Sequence, residues 1–273
     1  MPETAFTADE VALFYDRLEE FFSAVLGESI HYGYWPADDP GADLSRAQDH
    51  LTRLLGGKLG TGAGEHLLDV GCGTGRPAAL IAGDTGCTIT GITISGNQLA
   101  PAARRARDLG VADQVSFQWA DAMAMPFADG SFDAALALES LLHMPDKEQA
   151  LAEIRRVLRP GARLVVADFF ETSPIPPGTV PETAIGVLPN HVPPPLDELT
   201  GVVAGAGFTV TEVHDLTADA HRSGEAILAA IHDYRPRGGD GRIAEQVQQA
   251  IPAIVEHAHE HTGYVAITAE VAR

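Results

Sequence analysis

The sequence predicts an α/β protein, a parallel sheet with helices on both faces. Between His66 and Phe170, short apolar runs alternate with helical stretches. Three glycines, Gly71, Gly73 and Gly75, end the first apolar run and open the first of those helices. The chain has 273 residues, 45% hydrophobic and 21% charged, which suits one large core or one domain with a small cap.

The elements follow in order. Asp9 to Leu26 carries apolar residues at helical spacing and stops at Gly27. An aromatic stretch follows, His31 to Trp35, then a second helix over roughly Asp43 to Leu55. Gly56 to Gly64 holds five glycines and reads as a linker, which sets an N-terminal helical cap over residues 1–60. Strands are expected at 66–71, 87–92, 115–118, 133–138 and 163–169, with helices at 76–83, 96–109 and 146–158. Residues 172–195 are proline-rich and read as a lid or substrate wall. A helix at 196–206, a strand at 208–214, helical stretches at 220–234 and 240–261, and a last strand over Tyr264 to Val271 complete the chain.

Composition excludes several function classes. With 38 acidic and 18 basic residues the net charge is −20, which opposes nucleic-acid binding. No apolar run reaches the ~18 residues of a membrane helix. The opening MPETAFTADE lacks a basic signal region, and Cys72 and Cys87 make no disulfide framework. The expectation is a cytoplasmic protein with a small-molecule partner, as monomer or homodimer.

The glycine turn Asp69-Val-Gly71-Cys-Gly73-Thr-Gly75 carries the chemistry. It lets a ligand approach the main chain, and the helix behind it offers free N–H groups to an anion. A dinucleotide site needs a glycine where this chain has Arg76, and the Gly-Lys-Ser/Thr of a phosphate loop is absent. The turn resembles the first motif of class I S-adenosylmethionine-dependent methyltransferases. The likeness extends to Pro126-Phe-Ala-Asp129-Gly-Ser-Phe132-Asp133 and Arg159-Pro-Gly161. It implies a Rossmann-like seven-stranded mixed sheet over residues 61–273, with the cap before it and a helical insertion ahead of the last strand, the helices at 220–261 joining 172–195 in the expected substrate wall.

The same resemblance implies S-adenosylmethionine as cofactor, S-adenosylhomocysteine as product, and no metal. Gly71, Gly73 and Gly75 would lie against the methionine part. Asp69 would orient the loop or meet the ligand amino group. Thr90-Gly-Ile-Thr93 lacks the usual ribose acid, which resembles the branch containing cyclopropane synthases and natural-product methyltransferases. There Thr93 and Gln98 would take the ribose. Asp121 and the N–H of Ala122 would meet the adenine, with Met123 and Trp119 either flanking the purine or packing in the core. The stretch Tyr32 to Trp35 would fold over the cofactor, with Tyr32 or Tyr34 hydrogen-bonding its carboxylate and Glu139 nearby or supporting His143.

Transfer from a sulfonium is an in-line displacement, so placement supplies much of the rate. What remains is the acceptor proton. His143 follows the fourth strand and Asp168 ends the fifth, so neighbouring parallel strands aim both at one pocket. Imidazole suits the base, with the carboxylate orienting it or acting itself. Glu139-Ser-Leu-Leu-His143-Met-Pro-Asp146 resembles sugar and natural-product O-methyltransferases, in which the matching His and Asp are proposed bases. The expected function is O-methylation of a small secondary metabolite. N- or C-methylation, an NAD(P)-dependent oxidoreductase and a non-enzymatic binding protein are the alternatives. His257, His259 and His261 read as a polar helix face, and His31 and His191 flank the expected lid segments.

Overall fold

A computed structural model of the chain describes residues 7–174, 176, 193–234, 252, 255 and 260–272. Seven strands form one sheet in the order β3-β2-β1-β4-β5-β7-β6. They are β1 His66–Val70, β2 Thr88–Thr93, β3 Val115–Trp119, β4 Phe132–Leu138, β5 Leu158–Glu171, β6 Phe208–Asp215 and β7 Thr262–Val271. The first five run parallel, and β7 lies antiparallel between β5 and β6, so the sheet is mixed. Helices α3 Arg76–Thr85, α4 Gly96–Asp108, α5 Lys147–Val157, α6 Leu196–Gly205 and α7 Thr217–Asp233 alternate with them.

Both faces of the sheet are covered, and the alternation of β1 shows how. Leu67 faces a core shared with Leu51, Leu55 and Ile81, while Leu68 faces the opposite core with Leu151, Ile154 and Val203. Strand order reverses between β1 and β4, and such a switch opens a crevice beyond the carboxyl ends of the strands.

Two helices precede the sheet. Helix α1 (Ala8–Leu26) begins with a reciprocal cap between Thr7 and Glu10. Its Leu18, Phe21 and Val25 pack on Ile227 and Ile231 of α7. Helix α2 (Leu44–Leu59) starts at the Asp43 cap and ends at left-handed Gly60. It runs on past Leu55, through the start of the glycine-rich stretch that reads as a linker. Gly56 permits this, because a Cβ there would stand 3.2 Å from Ile81 Cγ1. Leu51, Leu55 and Leu59 form its buried stripe, each contributing about 1.5–3 kcal/mol by leaving water. Most of 172–195 and of the expected helix at 240–261 lies outside the described residues.

Gly75 caps α3 at φ 75°, and a Cβ there would lie 2.6 Å from Phe117 Cζ and 2.7 Å from Ala102 Cβ. Gly75→Ala should therefore lower the urea midpoint, with a cost of roughly 1–3 kcal/mol from overpacking. An unchanged midpoint would contradict this packing.

Candidate active site

A hollow of about 820 Å³, counting its open mouth, lies beyond the carboxyl ends of β1, β2 and β4. Its floor is the glycine turn. The N–H groups of Gly71 and Cys72 both donate to Ile92 O at 2.9 Å, locking the turn to β2. Gly71 sits at φ 79° with a would-be Cβ 2.5 Å from Ser140 Cβ, so only glycine lets the loops after β1 and β4 touch there. Gly73, at φ 51°, has no neighbour within 4 Å of a would-be Cβ and faces open space.

The back of the turn is tied to the N-terminal segment. Thr74 Oγ1 donates to Glu28 O at 2.6 Å. Arg76 makes a two-pronged pair with Asp49, both bonds 2.8 Å, and a further ion pair with Glu28. The residue that stands where a dinucleotide protein has glycine is thus a clamp holding α2 and the 27–35 segment against the turn. Asp69 is buried beneath the floor and is not part of the hollow's wall. Its Oδ2 has no hydrogen-bond partner, and burial pushes its pKa up to about 7.

One side wall comes from β2 and β3. Thr93 Oγ1 donates to Gln98 Oε1 at 2.7 Å, so two groups able to serve a diol already touch. Asp121 Oδ1 accepts the Met123 N–H at 2.9 Å, which turns the chain after β3. Ala122 and Met123 join Asp121 in the wall. Trp119 is outside it, 58% exposed, with its indole N–H on Ile94 O.

The opposite wall is the turn after β4. Glu139 adopts φ 47°, a left-handed conformation unusual for a side chain of its size. It is held on three sides. Its N–H donates to Ala167 O at 2.8 Å, and its Oε1 accepts the Tyr32 N–H at 2.7 Å and the Tyr264 hydroxyl at 2.8 Å. Burial pushes its pKa up to about 8, with these bonds pulling the other way and nearby Asp168 adding to the rise. Tyr32 itself stacks on Tyr264 and meets Phe169 edge-on, so its ring supports Glu139 from outside the wall. Tyr34 packs against the core beneath α2. His31 is buried, with Nδ1 2.7 Å from Tyr32 O, and burial lowers its pKa to about 4. Gln48 of α2 donates to the carbonyls of Leu26, Ser29 and His31, which pins this segment over the site.

His143 ends a single 3₁₀ turn, Leu141–His143, and faces the hollow. Asp168 is buried behind it rather than in the wall. Its carboxylate accepts the Leu142 N–H and the Phe169 N–H, each at 2.9 Å. It thereby grips the backbone that carries His143. Burial pushes its pKa up to about 7, opposed by those N–H donors and by Lys147. Lys147, at the start of α5, is lowered by its own burial.

Of the expected site residues, Gly71, Gly73, Thr93, Gln98, Asp121, Ala122, Glu139 and His143 share one hollow. Tyr32, Asp69, Gly75 and Asp168 stand one layer behind it. Two residues were not singled out by sequence. Tyr15 of α1 lines the hollow with its hydroxyl 2.8 Å from His143 Nε2. Tyr264 of β7 holds Glu139. A polar tip inside an otherwise apolar stripe was the signal available for Tyr15. His191, His257 and His259 lie outside the described residues, and His261 bonds Ser173 Oγ at 2.9 Å. Among the described residues no cluster of three or more His, Cys, Asp or Glu could hold a metal, and no helix is long and apolar enough to cross a membrane.

Residues 68–166 match a family model described as a methyltransferase domain. The methyltransferase GfsG of Streptomyces halstedii is 38% identical over 86% of this chain and 86% of its own. The O-methyltransferase cnsE of Penicillium expansum is 39% identical over 97% of this chain and 93% of its own. The crystal structure of the [4+2]-cyclase SpnF superposes with a TM-score of 0.86 at 33% identity, covering 98% of both chains. The Rossmann-like mixed sheet, the glycine turn at the strand switch and these relatives together place the chain in the family of S-adenosylmethionine-dependent methyltransferases.

Proposed function

We propose that this enzyme methylates a hydroxyl of a small, largely apolar secondary metabolite, with His143 as general base. The observation that carries the reading is the position of His143 in the same hollow as the glycine floor and Glu139. When bound, S-adenosylmethionine supplies an electrophilic methyl group on a sulfonium. The chain then has to place an acceptor and receive its proton.

The residues fit that cofactor. Gly71 and Gly73 give a floor on which the main chain is approachable. Thr93 and Gln98 suit the ribose diol, and Asp121 with Ala122 suits the adenine edge. Glu139, and Asp69 beneath the turn, supply carboxyl groups toward the amino and sulfonium charges. Asp168 acts by holding the 141–143 turn rather than by touching substrate. Relatives named as O-methyltransferases favour oxygen over nitrogen or carbon, and a neutral imidazole suits a hydroxyl that must lose its proton.

The test is methyl transfer to farnesol, estradiol and erythronolide B as hydroxyl probes, with farnesylamine as the nitrogen probe, read by mass. Methyl ethers are expected. Methylation of the amine alone would overturn the oxygen assignment. Because the [4+2]-cyclase shares this scaffold, the assay reads transfer itself rather than cofactor binding. His143→Ala should slow single-turnover transfer by ~10²–10⁴-fold, with S-adenosylhomocysteine affinity unchanged by calorimetry. Undiminished transfer would remove His143 as base.

The buried acids give a second prediction. Asp69 and Asp168 are pushed to about 7 and Glu139 to about 8, so the folded chain keeps protons that the unfolded chain has lost. Stability falls with pH wherever the folded state binds more protons. His31 and His66, both lowered by burial, act oppositely, but chiefly below their ordinary value of 6.5. Without ligand, the urea midpoint should therefore fall from about pH 6.5 to about pH 8, and Asp69→Asn should flatten that slope. A midpoint rising across this window would contradict the assignment.

A further inference from the structure

Among the described residues, one that touches His143 comes from the N-terminal helix. Tyr15 Oη lies 2.8 Å from His143 Nε2, and the two rings meet edge to face at 5.5 Å and 86°. Both side chains line the hollow. Tyr15 is fixed from both sides along α1. Val11, one turn earlier, faces the same hollow, and Asp16 bonds Ser95 Oγ at the start of α4. Burial and the carboxylates of Glu139 and Asp168 push the Tyr15 phenol well above its ordinary value. A proton relay uses the tautomer in which the neutral phenol donates and Nε2 accepts across this 2.8 Å contact. In that tautomer the imidazole proton is on Nδ1.

An acceptor hydroxyl reaching Nε2 directly would have to break this bond. The oxygen of Tyr15, however, keeps lone pairs that can accept from a hydroxyl in the hollow.

The geometry points to Tyr15 as a catalytic proton relay between the acceptor hydroxyl and His143. The inference rests on the reading of His143 as the base. The acceptor oxygen forms its bond to the methyl carbon as the carbon–sulfur bond leaves its electron pair on sulfur. The acceptor proton passes to Tyr15 Oη, and the Tyr15 proton passes to His143 Nε2. Tyr15 ends as it began, a neutral phenol. One positive charge disappears from sulfur and one appears on imidazole, so the site's net charge is unchanged.

Tyr15→Phe keeps the ring and removes only the hydroxyl. Single-turnover transfer to the fastest alcohol of the probe panel should fall by ~10²-fold, with S-adenosylhomocysteine affinity unchanged. A proton inventory in mixed light and heavy water should show two protons in flight in the native enzyme. An unchanged rate in Tyr15→Phe overturns the relay. A faster rate also overturns it and makes the tyrosine a latch that the acceptor must displace. The base reading fails separately, if His143→Ala transfers normally. Nitrogen NMR of the intact enzyme reads the same arrangement without any acceptor. The native protein should show His143 protonated at Nδ1 with Nε2 accepting, and Tyr15→Phe should shift the Nε2 resonance. A proton on Nε2 of the neutral native imidazole overturns the relay.

Discussion

The site depends on one buried carboxyl group. Glu139 leaves β4 in a left-handed conformation that costs of order 1–3 kcal/mol and persists only where surroundings over-determine it. Here they do. Its N–H is taken by β5, and its carboxyl oxygen gathers the Tyr32 N–H from the N-terminal segment and the Tyr264 hydroxyl from β7. Three regions distant in sequence thus meet at one oxygen. The turn so fixed sets Ser140 against Gly71 and carries the chain into the 141–143 turn that ends in His143. Asp168 grips that same turn from behind. His143 is positioned by two acids that are themselves held by backbone donors.

The N-terminal segment is equally part of the site. Arg76, Glu28 and Asp49 bind it to the glycine turn, and Gln48 supports it through three carbonyls. Helix α1 then brings Tyr15 to the hollow. An arginine in place of a packing glycine thereby couples the floor of the hollow to the N-terminal segment. That coupling gives a physical reason why the chain departs from the dinucleotide pattern at this position.

Much of this was legible in the sequence because it is local. Glycine spacing at 71, 73 and 75 follows from backbone conformations that few other residues adopt. The strands read as apolar runs because both faces of the sheet are buried. His143 was legible because neighbouring parallel strands present their ends to one side. What could not be read depends on contacts between distant segments. Tyr15 lies on the hydrophobic stripe of α1, where an aromatic residue reads as core until a partner is known. Tyr264 reads as one more apolar residue of β7. Gly56 and Gly57 suggested a linker by composition, yet the first of them exists to bring α2 against Ile81. Asp168 was expected to face the pocket, and strand alternation alone does not reveal that its carboxylate turns to backbone N–H groups instead.

The most direct measurement is a crystal structure with S-adenosylhomocysteine. The account predicts its thioether sulfur over Gly71–Gly73 on the side facing His143, its ribose on Thr93 and Gln98, and its purine beside Asp121 and Met123, with the Glu139–Tyr264 bond intact. Density for the nucleoside elsewhere, or a sulfur turned away from His143, would contradict it.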